Sequence, residues 1–148
     1  CRYRKGKRGF SNTTRAGRFG AVGMWDHADA ADDTVTAIGM IEDPEALDEI
    51  DAIVATDGLD GFFIGRGDLT MAYGVENAGA PEVRNACDRI LEAAKKVGKP
   101  VAVMVASAEE AADFKEKGAT AFIVASDQGF MRKAATAAYA DLAALGAR

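Results

Sequence analysis

From residue 36 onward the chain alternates short apolar runs with longer stretches whose apolar residues recur every three or four positions. The runs at 36–41, 61–64, 101–105 and 121–125 are almost wholly apolar, as strands covered on both faces are. Between them lie helical patterns. Residues 44–54 place Pro44 near the first turn and Leu47, Ile50 and Val54 on one side. Residues 81–97 put Val83, Ala86, Cys87, Ile90, Leu91 and Ala94 on one stripe and meet Gly98 as a stop. A third pattern runs from Ser107, a candidate N-cap with Glu110 three residues on, to Lys117 and Gly118. The last spans 129–145, with Met131, Ala134, Ala135, Ala138, Leu142 and Leu145 on one face. Strand followed by helix, four times over, predicts an α/β fold with a parallel sheet, either open and doubly wound or part of a barrel. Residues 1–35 lack sustained periodicity and read as a loop-rich segment joined to the four units in one domain.

A closed eight-stranded barrel typically needs ~200 residues or more, so four strands make half of one. Isolated, such a half exposes apolar sheet surface and two unpaired edges, and it is expected to seek the missing half or another copy of itself. Composition adds limits. With 148 residues, 49% of them apolar, the chain has the size and core material of one soluble domain. No window approaches the roughly 18 consecutive apolar residues of a membrane span, and the N-terminus lacks the apolar core of a signal peptide. A cytoplasmic location is the expectation. Cys1 and Cys87 are too few for a disulfide framework, and Cys87 reads as core packing. The net charge of -5 argues against general nucleic-acid binding, although seven of the 18 Lys and Arg fall in the first 18 residues. The chain begins with Cys rather than Met, which suggests processing or a piece of something longer.

Candidate chemistry sits at two strand ends. Glu42 follows the first run, and Asp68 follows the second through Gly65-Arg66-Gly67. Parallel barrels gather their functional groups where the carboxyl ends of the strands meet, so two acids distant in sequence are placed to share one hard divalent cation. Each also has a plainer explanation, Glu42 as a favourable charge at the start of the next helix and Asp68 as a turn or cap residue. Gly65 and Gly67 allow close backbone approach to a ligand or simply make a turn. Asp127 reads as an N-cap and His27 as a surface histidine.

Lys7-Arg8-Gly9-Phe10-Ser11 with Thr14-Arg15-Ala16-Gly17, Met40-Ile41-Glu42-Asp43-Pro44-Glu45-Ala46, residues 60–69 and Ala125-Ser126-Asp127-Gln128-Gly129 together resemble the HpcH/HpaI aldolase and citrate lyase family over nearly the whole chain. The resemblance implies the C-terminal half of a TIM-type barrel. It further implies a metal-dependent carbon–carbon lyase that makes or breaks a bond beside the keto group of pyruvate, with an aldehyde as second substrate. Glu42 and Asp68 would then hold Mg²⁺ or Mn²⁺, and Gly65, Gly67 and the amide of Asp68 would hold the 2-keto acid. The family's usual catalytic histidine and substrate arginine belong to the other half, so no catalytic residue is assigned. Met40 stands where many relatives carry glutamine and Arg66 where many carry proline; Arg66 either faces solvent or lies near an anionic substrate. Arg8 and Arg15 match family positions and are expected to serve structure or a subunit contact. Two other functions remain open: a noncatalytic half-barrel acting through assembly, and a lyase of coenzyme A thioesters.

Overall fold

The computed structural model describes residues 1–146. The chain divides into two compact units, one of Cys1–Ile38 with Gly58–Asp60, the other of Gly39–Asp57 with Gly61 onward.

In the first unit, a short 3-10 turn at Arg15–Gly20 precedes helix α1, Met24–Thr34. That helix lies where the sequence pattern suggested loops. Within it only His27 and Ala28 are buried, too little for an apolar period to show. Polar contacts tie it down instead. Asp32 accepts hydrogen bonds from the N–H groups of Tyr3 and Arg4 at 2.6 and 2.8 Å. These bonds hold its carboxyl below the ordinary range. Arg4 pairs with Asp29 through two nitrogens, at 2.6 and 2.9 Å, and lies over the Trp25 ring at 4.4 Å. His27 is not a surface residue: it is 8% exposed and packs against the rings of Tyr3 and Phe10. Arg8 lies over Tyr3 at 4.7 Å.

The second unit is built on four strands, β1 (Ile38–Ile41), β2 (Gly61–Ile64), β3 (Val101–Val105) and β4 (Ala121–Val124), in that order across the sheet. β3 runs parallel to both neighbours, with Phe62 opposite Val101, Ile64 opposite Val103 and Met104 opposite Ile123. The helices between them are α2 (Ile50–Ala55), entered through a 3-10 turn at Pro44–Glu49, then α3 (Arg66–Tyr73), α4 (Pro81–Lys96), α5 (Ala108–Lys117) and finally α6 (Asp127–Ala143).

The core lies on one side of the sheet. Phe62, Ile64, Val101, Val103 and Val105 are buried there, as is the α4 stripe of Val83, Ala86, Cys87, Ile90, Leu91 and Ala94. Each large side chain so buried contributes about 1.5–3 kcal/mol. Cys87 is part of this packing, and burial pushes its thiol up to about 11, which leaves it inert at neutral pH. The alternate strand positions are bare: Met40, Met104 and Ile123 are 55%, 47% and 42% exposed. α6 buries no side chain: Met131 and Leu142 of its stripe are open, and Leu145, expected on the same helix, lies exposed just beyond its end at Ala143. The pattern marks a face able to pack, and nothing among the described residues covers it.

Capping fixes the ends. Ser107 accepts the N–H of Glu110, as expected, at 3.2 Å. α6 is capped by Ser126, which accepts the Gly129 N–H at 3.1 Å, so the expected cap at Asp127 lies one residue too late. A hydroxyl there reaches the third helical N–H, whereas Asp127 bonds only the adjacent Gln128 N–H. β4 stops at Val124 because Ala125 turns left-handed, with φ of 59°.

Candidate functional site

Glu42 is the first residue after β1, and Asp68 is the third residue of α3, the helix that starts one residue after β2. The order β1-β2 therefore brings the two strand ends side by side. The Gly65 N–H donates to the Ile41 carbonyl at 2.9 Å, carrying the pairing one residue past β2 to the residue before Glu42. A Cβ on Gly65 would lie 2.6 Å from the Glu42 Cβ, closer than two carbons can approach. Gly65 is thus a spacer that lets Glu42 pass. At Gly67 an added Cβ would meet nothing within 4 Å, so no neighbour requires a glycine there.

The two carboxyl groups meet. The half-buried Glu42 has its pKa raised, first by partial loss of water, then by the charge of Asp68 and a hydrogen bond to it, with Asp43 adding a little. A carboxyl whose ionisation is made costlier by a neighbouring acid is poised to take up a proton or a cation. Among the described residues neither forms an ion pair. No set of three His, Cys, Asp or Glu gathers there to form a full cage. Two carboxylates without a thiol or imidazole suit a hard cation that keeps several waters, as Mg²⁺ commonly does. The donor set therefore fits the cation implied by the sequence.

The Gly-rich segment is not a plain turn but the start of helix α3. Its first backbone bond runs from the Leu69 N–H to the Gly65 carbonyl, so the N–H groups of Arg66, Gly67 and Asp68 precede any partner within the helix. Gly67 and Asp68 are exposed. Leu69, wholly buried, and Gly74, with φ of 65°, pin the helix.

Arg66 does not face solvent. Its Nη1 donates to Glu110 Oε1 at 2.7 Å, and its guanidinium lies 5.1 Å from the centre of the Phe114 ring. A cavity of about 380 Å³ is lined by Arg66, Arg84, Cys87, Glu110, Phe114 and Lys117, and by neither Glu42 nor Asp68. This arginine–glutamate contact escaped the sequence reading, since its partners lie 44 residues apart.

A parallel sheet of strands alternating with helices is the architecture from which TIM-type barrels are built. The HpcH/HpaI aldolase/citrate lyase family pattern matches residues 1–134, and the chain belongs to that family. It is similar to 5-keto-4-deoxy-D-glucarate aldolase of Enterobacter sp. (strain 638), 41% identical over 131 residues, covering 88% of this chain and 50% of that protein. The corresponding aldolase of Citrobacter koseri is 38% identical over the same span and coverage. Among solved structures, an HpcH/HpaI aldolase/citrate lyase family protein from Burkholderia cenocepacia J2315 superposes with a TM-score of 0.82 at 29% identity, over 93% of this chain and 53% of that one. The chain spans about half the length of the curated relatives it matches.

Proposed function

We propose that this chain supplies the cation-holding half of a divalent-metal-dependent aldolase, acting on a 2-keto acid such as 5-keto-4-deoxy-D-glucarate and releasing pyruvate and an aldehyde. The observation that carries this is the meeting of Glu42 and Asp68 at neighbouring strand ends. In such a substrate the carbon beside the keto group carries no hydroxyl, so cleaving the bond from it to its hydroxyl-bearing neighbour leaves pyruvate. When bound, Mg²⁺ or Mn²⁺ would act as a Lewis acid that stabilises negative charge on the keto oxygen.

The chain's own residues bind and orient. Glu42 and Asp68 hold the cation between two strand ends, and Gly65 keeps them close. The free amides of Gly67 and Asp68 hold the substrate carboxylate, since N–H groups at a helix start attract anions. No proton-transfer group is assigned: His27, the single histidine of the sequence, is buried against Tyr3 and Phe10. Assembly with further copies, or with the complementary half, fits the open α6 stripe and the bare sheet face. No helix among the described residues is long and apolar enough to cross a membrane.

The test is Mn²⁺ binding and pyruvate release in the protein carrying this chain. Wild type should bind and turn over; Glu42→Ala and Asp68→Ala should each lose both while remaining folded. Undiminished Mn²⁺ binding in either variant would sink the reading.

A further inference from the structure

Between Ile64 and Asp68 the sequence is Gly-Arg-Gly, so Arg66 supplies the side chain by which the backbone leading into Asp68 is tied to a neighbouring element. On the far side Asp68 is held by buried Leu69. The two flanking glycines bring no side chain of their own to hold the entry in place.

The Arg66 anchor ends on a single carboxylate with two attachments. Glu110 Oε1 accepts from Arg66 Nη1, and Glu110 Oε2 accepts from the N–H of Ala106, both at 2.7 Å. Ala106 is the residue immediately after β3. One side chain on α5 thus ties the segment after β2 to the segment after β3. The side chains are 16% and 31% exposed, and Arg66 also lies over Phe114 of α5. Partial burial and a charge-assisted bond on each oxygen make this firmer than an exposed ion pair. The Thr70 hydroxyl donates to the Arg66 carbonyl at 2.6 Å and completes the fixing of this first turn.

We propose that Glu110 is a positioning residue for the carboxylate pair: acting through Arg66, it sets where Asp68 stands relative to Glu42. It touches neither carboxylate. The inference rests on the cation reading above, and it predicts a property of that site which a purely structural salt bridge would not have.

The experiment is Mn²⁺ titration by electron paramagnetic resonance on the protein carrying this chain, paired with amide hydrogen exchange at residues 66–69. Glu110→Ala and Arg66→Ala should each weaken Mn²⁺ binding about tenfold or more, the size usual for partners that orient metal ligands. The double variant should be no worse than either single one, because both remove the same link. Exchange at residues 66–69 should quicken in all three. Ile90→Val, which removes one buried methylene from the α4 stripe, should lower the melting temperature and leave Mn²⁺ affinity unchanged. Should Glu110→Ala not fold, Arg66→Ala carries the test, since it spares the Ala106 bond. Folded variants with wild-type Mn²⁺ affinity and unchanged exchange overturn the proposal. Absence of Mn²⁺ binding by the wild type overturns the cation reading instead, and the exchange measurement then still reports whether Glu110 fixes the segment.

Discussion

α4 and α6 are nearly equal in length, 16 and 17 residues, and both carry an apolar stripe, yet α4 buries seven side chains and α6 none. The stripe is sharper on α4 than on the Ala-rich α6, and the surroundings of the two helices differ as well. α4 lies between α3 and α5 along the chain, and its stripe contributes to the core with the covered face of the sheet. α6 follows β4, whose own residues are mostly exposed. Amphipathic spacing states which face of a helix is able to pack; whether something is there to receive it depends on the rest of the assembly. The stability of this chain is thus concentrated in its first three β/α units, the ones that also build the carboxylate pair.

The widest separation between the two helices should come from their stripes. Ile90 is 0% exposed, and Ile90→Ala should cost about 2–5 kcal/mol in urea denaturation. Leu142 is 62% exposed, and Leu142→Ala should change stability by no more than about 0.5 kcal/mol. A loss at Leu142 comparable with that at Ile90 would break the contrast and mean that α6 is covered in solution.

The same contrast reappears at the strand ends. Gly65, after β2, has Glu42 pressed against the position a side chain would take, so Gly65→Ala should destabilise by about 1–3 kcal/mol and weaken Mn²⁺ binding as the Glu42 side chain is pushed away. Ala125, after β4, holds a left-handed backbone at φ of 59°, which costs a residue with a Cβ about 1–2 kcal/mol. Ala125→Gly should therefore stabilise, by about 1 kcal/mol at most, since glycine adopts that conformation without a clash. Equal and opposite shifts in the two melting curves would show that β4 unfolds with the remainder. A null effect at Ala125 alone would show that it does not.

What was legible in the sequence follows the same division between local and distant causes. β2 and β3 were read to the residue because each is a short apolar run bounded by glycine or proline, and α4 because Pro81, its stripe and Gly98 all agree. The Glu42–Asp68 pair was legible because parallel topology alone brings successive strand ends together. α3 was hidden, since Gly65-Arg66-Gly67 has turn chemistry and the helix is held by the burial of Leu69, a tertiary fact. α1 was hidden for a related reason: polar ties from Asp29 and Asp32 stabilise it in place of an apolar stripe. Arg66 with Glu110 left no local trace at all.

Acid should separate the anchored rim from the bare one most finely. Burial works to raise the Glu110 pKa, but the Ala106 N–H and the Arg66 guanidinium outweigh it and hold the carboxyl below its ordinary value of 4.5. A depressed acid contributes stability that is fully present above its unfolded pKa and is lost as pH falls through its folded one. Wild type should accordingly lose more stability than Glu110→Ala or Glu110→Gln between about pH 7 and about pH 3, because neither variant has the ionised link to lose. Denaturation curves at the two pH values read the difference directly. Parallel losses in wild type and variants would mean that Glu110 is as loosely held as the acids of α6, and the rim after β3 would then be no firmer than the rim after β4.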